Sequence, residues 1–111
     1  MKYLLSLILF LSFSASANDW SGPVKVVEII AGYKDGFVLF RTSGDIVNPN
    51  DCQDTYSLDP ENSNVELALS LLLAAQRSDS EVEIGIDPSN CGRSGVQHLS
   101  GKIKVTRIRS L

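Results

Sequence analysis

Cys52 and Cys91 carry the most definite chemistry in this 111-residue chain, and what they do depends on the compartment in which it folds. In an oxidising compartment they can form one internal bridge. It would close a loop of about forty residues and stabilise the fold by roughly 4 kcal/mol through lost unfolded-state entropy. An intermolecular disulfide and a metal pair are the competing readings, although two isolated cysteines and a distant His98 make no zinc spacing. His98 is the single histidine. As a catalytic base it would need a nucleophile and an orienting carboxylate beside it, and the chain holds neither a GxSxG nor an HExxH motif. A small hydrolase is therefore the least favoured class, and the expectation is a protein that is not an enzyme, with no cofactor and no metal.

Other residues offer binding chemistry. Trp20, Tyr33 and Tyr56 are the candidates for stacking on a sugar ring, since a flat aromatic beside polar groups suits a pyranose face. Each has a plainer role available: Trp20 can cover a barrel end, and Tyr33 can be an ordinary turn residue. Asp45, Asn48, Asn50, Asp51 and Asp54 supply many oxygens in ten residues, yet without the bidentate glutamate that an EF-hand loop requires. Such Asx-rich loops are usually turns. Lys102, Lys104, Arg107 and Arg109 make a local basic segment, suited either to an anionic partner or to protecting a sheet edge.

The compartment is written at the start. Lys2 supplies a positive charge, residues 3–13 are apolar, and Ala15-Ser16-Ala17 is the small-x-small pattern of a cleavage site. Residues 1–17 thus read as a secretory signal peptide, and residues 18–111 as one domain. Losing Lys2 takes the net charge from −3 to −4. That acidity, with export, disfavours nucleic acid, whose phosphates demand cationic contacts. No second apolar run is long enough to span a bilayer, so no membrane insertion is expected after cleavage. The expected location is secreted or periplasmic, in a Gram-negative bacterium.

The elements that must position these residues follow from pattern. Residues 24–31 (VKVVEIIA) are β-rich, but Lys25 and Glu28 are out of phase, which predicts a bulge near Val26 and Val27. Asp35-Gly36 marks a turn into residues 37–42, completing a hairpin. Residues 43–54 are loop, and residues 55–58 form a short strand extending back toward Cys52. Ser63-Asn64-Val65-Glu66 reads as a capping box opening a helix to about Arg77. Val82, Ile84 and Ile86 alternate with polar residues in a clean strand, and residues 88–95 are loop. Ile103 and Val105 lie on one face of the last strand, but Arg107 and Arg109 share their parity, so the strand is expected either to bulge or to leave the sheet near Thr106.

Strand-strand-strand-helix-strand-strand with a bent first strand is the order of an OB-fold, a five-stranded Greek-key barrel. The fold class is mainly β, with one helix and one disulfide. An unclosed α+β sheet is the alternative. The helix is apolar nearly all round: Val65, Ala68, Leu69, Leu72 and Ala75 make one face, and Leu67, Leu71 and Ala74 a second. Only Glu66, Ser70 and Arg77 form a thin polar stripe. In so small a domain the second face predicts self-association through Leu67, Leu71 and Ala74, unless residues 43–54 and 88–100 fold over it.

Trp20-x-Gly22, the following hairpin, the NPNDC loop at residues 48–52, and ELALSLLLAAQRSDSEVEIGI at residues 66–86 with its closing cysteine carry a resemblance. The chain resembles the B subunit of subtilase cytotoxin and related small secreted bacterial proteins. The resemblance implies an OB-fold, disulfide bonding, and a ring-shaped homopentamer that binds cell-surface glycans and carries a toxic A subunit. In such rings the helices face the central pore, which would account for the second leucine face. This chain is shorter and poorer in aromatics, and none of that family's sugar-contacting residues maps onto it. The functional expectation is an exported, self-associating binding module of toxin-B-subunit type. The alternative is a monomeric periplasmic accessory or inhibitor protein that binds another envelope protein.

Overall fold

The computed structural model describes residues 19–93 and 100–111. The expected signal peptide and His98 lie outside the described residues. Five strands, β1 (Val24–Ile30), β2 (Val38–Thr42), β3 (Gln53–Leu58), β4 (Glu81–Cys91) and β5 (Lys102–Ser110), and one helix, α1 (Val65–Ser78), follow in the expected order. The strands close into a barrel in the order β1-β2-β3-β5-β4, with β4 returning to β1. Only β3 and β5 run parallel, because α1 and β4 carry the chain across the barrel between them. This is the OB-fold. Closure removes the alternative of an open sheet.

Alternation fills the barrel. Val24, Val26, Val38, Phe40, Tyr56, Leu58, Val82, Ile84, Ile86, Ile103 and Val105 are buried in one cluster. The bulge expected in β1 is present, and of the two alternatives for the last strand it is a bulge that occurs. Val26 pairs with Thr42 and Glu28 with Arg41, leaving Val27 as the inserted residue of β1. Its side chain is turned outward, 54% exposed, so that Ile29 returns to the core side. In β5, Arg107 pairs with Gly85 and Val105 with Ile86, so Thr106 is the insertion. Beyond it Ile108 packs on the core, and Arg107 and Arg109 point away.

Leu72 and Ala75 of α1 are buried in the barrel core, and Val65, Ala68 and Leu69 pack against it. The helix starts one residue later than the capping-box reading. Asn64, not Ser63, is the N-cap, its side chain accepting from the Leu67 N–H at 3.1 Å. Ser63 instead donates to the Val105 carbonyl at 3.1 Å, so the hydroxyl ties the helix to the sheet. At the other end Asp79 adopts a left-handed conformation, and the Ser80 N–H closes onto the Ala75 carbonyl.

Cys52 and Cys91 are joined in a disulfide within the chain, with Cα atoms 5.7 Å apart. The bridge ties β3 to β4, which are not neighbours; the start of β5 lies between them, with Gln53 opposite Lys102 and Cys91 opposite Ile103. The strand holding Cys91 is longer than the sequence suggested, since β4 resumes pairing at Cys91 after an excursion through residues 87–90. The Asx-rich loop serves this corner. Asn48 donates to the Cys52 carbonyl at 2.7 Å and accepts from its N–H at 2.8 Å, while Asn50 donates to the Asp87 carbonyl at 3.1 Å. Cys52→Ser is expected to destabilise the oxidised protein by about 3–4 kcal/mol. Thermal unfolding followed by circular dichroism checks this, and an unchanged midpoint would show the bridge to be idle.

Candidate functional site

The three aromatics singled out from sequence do not converge. Tyr56 is fully buried and stacked on Phe40, ring centroids 5.2 Å apart, so it offers no face to a sugar. Its even position within β3 points it into the barrel, and burial raises the phenol's pKa above its ordinary value. Only its hydroxyl has a loop partner, accepting from the Val47 N–H at 3.2 Å. Tyr33 packs with Phe37 and Leu39 in a small second cluster, and its carbonyl accepts from the Gly36 N–H in the β1–β2 turn. It is a turn residue covering apolar surface.

Trp20 sits apart from both. The segment before β1 continues along β4: Trp20 bridges to Gly85, Ser21 N–H donates to the Ile84 carbonyl, and Ile86 N–H donates to the Asp19 carbonyl. The indole crosses Gly85 because that residue has no Cβ; a methyl there would stand 3.3 Å from the ring and 2.9 Å from Arg107 Cγ. Two guanidinium carbons lie over the ring, Arg107 at 4.6 Å and Arg109 at 4.3 Å from its centroid. Each arginine is also ion-paired, Arg107 with Asp19 at 3.4 Å and Arg109 with Glu83 at 2.9 Å. The indole is thus held by the protein's own cations, which strap the N-terminal segment to the barrel wall.

The basic strand is corrected by the same geometry. In a closed barrel β5 is not an edge, so its cations have no edge to protect. Neither do they form a free patch. Lys102 donates to Gln53 at 2.8 Å, Lys104 faces Asp87 at 3.7 Å, and both arginines are paired as described. Asp87 is set within its excursion by the Ser89 N–H at 2.8 Å, then by Asn90 N–H and Lys104; together these outweigh desolvation and lower its pKa.

The face of α1 away from the barrel is the least satisfied apolar surface. Leu67 is 61% exposed, Ala74 is exposed, and Leu71 is half-buried. Leu67 and Leu71 overhang a shallow, mainly apolar groove of about 190 Å³ between the helix and β5, with Leu58, Ala68, Thr106 and Arg107 beneath. Leu73, 41% exposed, was not grouped with these from the sequence; its helical spacing places it among Glu66, Ser70 and Arg77. Of residues 43–54, one of the two segments that could have covered the helix, Asn48 and Asn50 are engaged at the disulfide corner instead, and residues 94–99 of the other segment lie outside the described residues. Among the described residues no cluster of three or more His, Cys, Asp or Glu is placed to hold a metal ion, and no helix is long and apolar enough to cross a membrane.

No family model, curated protein or solved structure matches this chain.

Two measurements check the geometry above. Replacing both Arg107 and Arg109 by alanine should cost about 1–2 kcal/mol and move the emission of the single tryptophan to the red, since the indole loses both covering cations. Unmoved emission would mean that the cations do not shield it. Asp87 has a lowered pKa in the folded state, so its contribution is present above the ordinary carboxylate pKa of about 4 and is lost as pH falls through the lower folded value. Asp87→Asn should therefore flatten the acid limb of a stability–pH curve below about pH 4 and leave its shape near neutrality unchanged.

Proposed function

We propose that this protein is an exported, non-enzymatic binding module that self-associates through the outer face of α1. The supporting observation is the stripe of Leu67, Leu71 and Ala74, which remains open beside an apolar groove on a barrel whose core is already full. Export is supported by the signal-like residues 1–17 and by a disulfide that an oxidising compartment would maintain. The resemblance to the B subunit of subtilase cytotoxin, together with the OB-fold, supports a ring-forming module that displays a ligand surface to glycans or carries a protein partner. Within such an assembly the helices would pack together and the barrel walls would remain outside.

A second reading, a monomeric envelope protein that binds another protein, draws on a different observation. Trp20, Tyr33 and Tyr56 lie in three separate environments, and none presents an open ring beside convergent polar groups. This reading expects silence on a glycan array and capture of one envelope protein.

Light scattering coupled to size-exclusion chromatography separates the two. Residues 18–111 should elute as a defined oligomer, and Leu67→Asp combined with Leu71→Asp should give a folded monomer of unchanged far-ultraviolet circular dichroism. A monomer at every attainable concentration before substitution would overturn self-association.

A further inference from the structure

The ladder of β2 and β3 stops at Phe40 opposite Tyr56, leaving a cleft of about 420 Å³ with Val27, Asp45 and Asp54 among its walls. Its two exposed carboxylates fix no ligand geometry. The helix, by contrast, fixes the placement of two opposite charges. Glu66 stands in the first turn of α1 and Arg77 in the last, both exposed and neither ion-paired with any described residue. One turn inward from each lie Ser70 and Leu73, which cannot pair a charge.

The spacing of Glu66 and Arg77 is close to three full turns, which puts them within about 20° of each other around the helix axis and about 16 Å apart along it. Ser70 and Leu73 fill the stripe between them, and this stripe runs beside the outer ridge of Leu67 and Ala74. The helix dipole favours an acid in the first turn and a base in the last, but at any angle around the axis. It does not account for a shared stripe. The middle of the charged stripe and the middle of the ridge differ by about one residue, or about 1.5 Å along the axis. The Ser70 hydroxyl is already turned back, donating to the Glu66 carbonyl at 3.0 Å, so it brings no unmet donor to a contact.

We propose that two copies of this chain pack α1 against α1 antiparallel about a two-fold axis, with Glu66 of each opposite Arg77 of the other. The inference rests on self-association through the outer face of α1, and it names the orientation of the partner. A two-fold that reverses one helix against the other sets each flank against its own copy, end to end. Glu66 is then level with Arg77 of the second copy, and Ser70 with its Leu73. Both ends carry a complementary pair, while the ridge of Leu67 and Ala74 meets its own copy near the same axis. Helices that run parallel place Glu66 level with Glu66 and keep the opposite charges at opposite ends. The charges therefore select the antiparallel pair. An assembly built on this contact holds an even number of chains, and a ring contains it only if successive chains alternate in direction.

The test swaps the charges singly and together in residues 18–111 and follows association by analytical ultracentrifugation. Glu66→Arg and Arg77→Glu should each weaken association about tenfold, since either one turns both contacts from attraction to repulsion. The two substitutions combined should restore it to within about threefold, because the reversed pairs are again complementary. Raised salt should weaken the unsubstituted chain and the double variant alike. Both side chains are exposed, and unchanged far-ultraviolet circular dichroism confirms that each variant is folded. Association that ignores the single swaps, that the double swap fails to restore, or whose mass corresponds to an odd number of chains would overturn the antiparallel pair. If Leu67→Asp combined with Leu71→Asp still abolishes that association, self-association through the helix stands without it. An unsubstituted chain that is monomeric at every attainable concentration overturns both.

Discussion

A barrel of five short strands closes only if its strands bend sharply, and here the bending is supplied by two inserted residues, Val27 in β1 and Thr106 in β5. Each insertion reverses which side chains face inward beyond it. Without the first, Ile29 would face solvent and Glu28 the core. Without the second, Ile108 would be lost from the interior and Arg107 or Arg109 forced into it. A bulge also leaves backbone groups outside the regular ladder, and the single helix attends to both places. Gln76 Nε2 donates to the Val27 carbonyl at 3.1 Å, and Ser63 Oγ donates to the carbonyl of Val105, next to Thr106. The curvature of the sheet and the seating of the helix are therefore one problem with one solution.

The surface features trace back to the same two residues. Val27, thrown outward by its bulge, becomes an apolar wall of the β2–β3 cleft. Thr106 lies under the helix groove, and the reversal beyond it brings Arg107 and Arg109 over Trp20. The charges divide accordingly. Those along β5 are matched within the chain by Asp19, Glu83 and Asp87, so the basic strand adds little net field. Asp45 and Asp54 are left unmatched, and part of the protein's negative charge is gathered at one opening in the wall.

Much of the fold was legible because parity is a local property. The misplacement of Lys25 and Glu28 announced the first bulge, that of Arg107 and Arg109 announced a bulge or a departure from the sheet, and alternation in Val82, Ile84 and Ile86 gave the buried face of β4. Two cysteines following a signal-like start gave the expectation of the disulfide. The helix cap was displaced by one residue because Ser63 had a better partner across the barrel than within its own turn, which no local rule contains. The same holds for Tyr56: its ring reads as a ligand platform in isolation, yet its position in β3 places it beside Phe40 in the core. The cleft was illegible for a stronger reason. It exists where the pairing of β2 and β3 ends, and the point at which two strands part is a property of the pair that neither strand's own pattern contains.

The two hydrogen bonds that tie α1 and the residue before its cap to the bulged strands also decide the status of its leucines. A helix resting on a barrel end by apolar contact alone could roll to bury whichever leucines were largest. This one is fixed near each end, by Ser63 before its first turn and by Gln76 in its last. Its rotation is set by polar geometry, with Leu72 and Ala75 inward and Leu67 and Ala74 outward. Rolling it to hide Leu67 would break those bonds and expose Leu72. The open leucine stripe is thus not slack in the packing that a small adjustment could remove. It is enforced by the same contacts that seat the helix on the barrel.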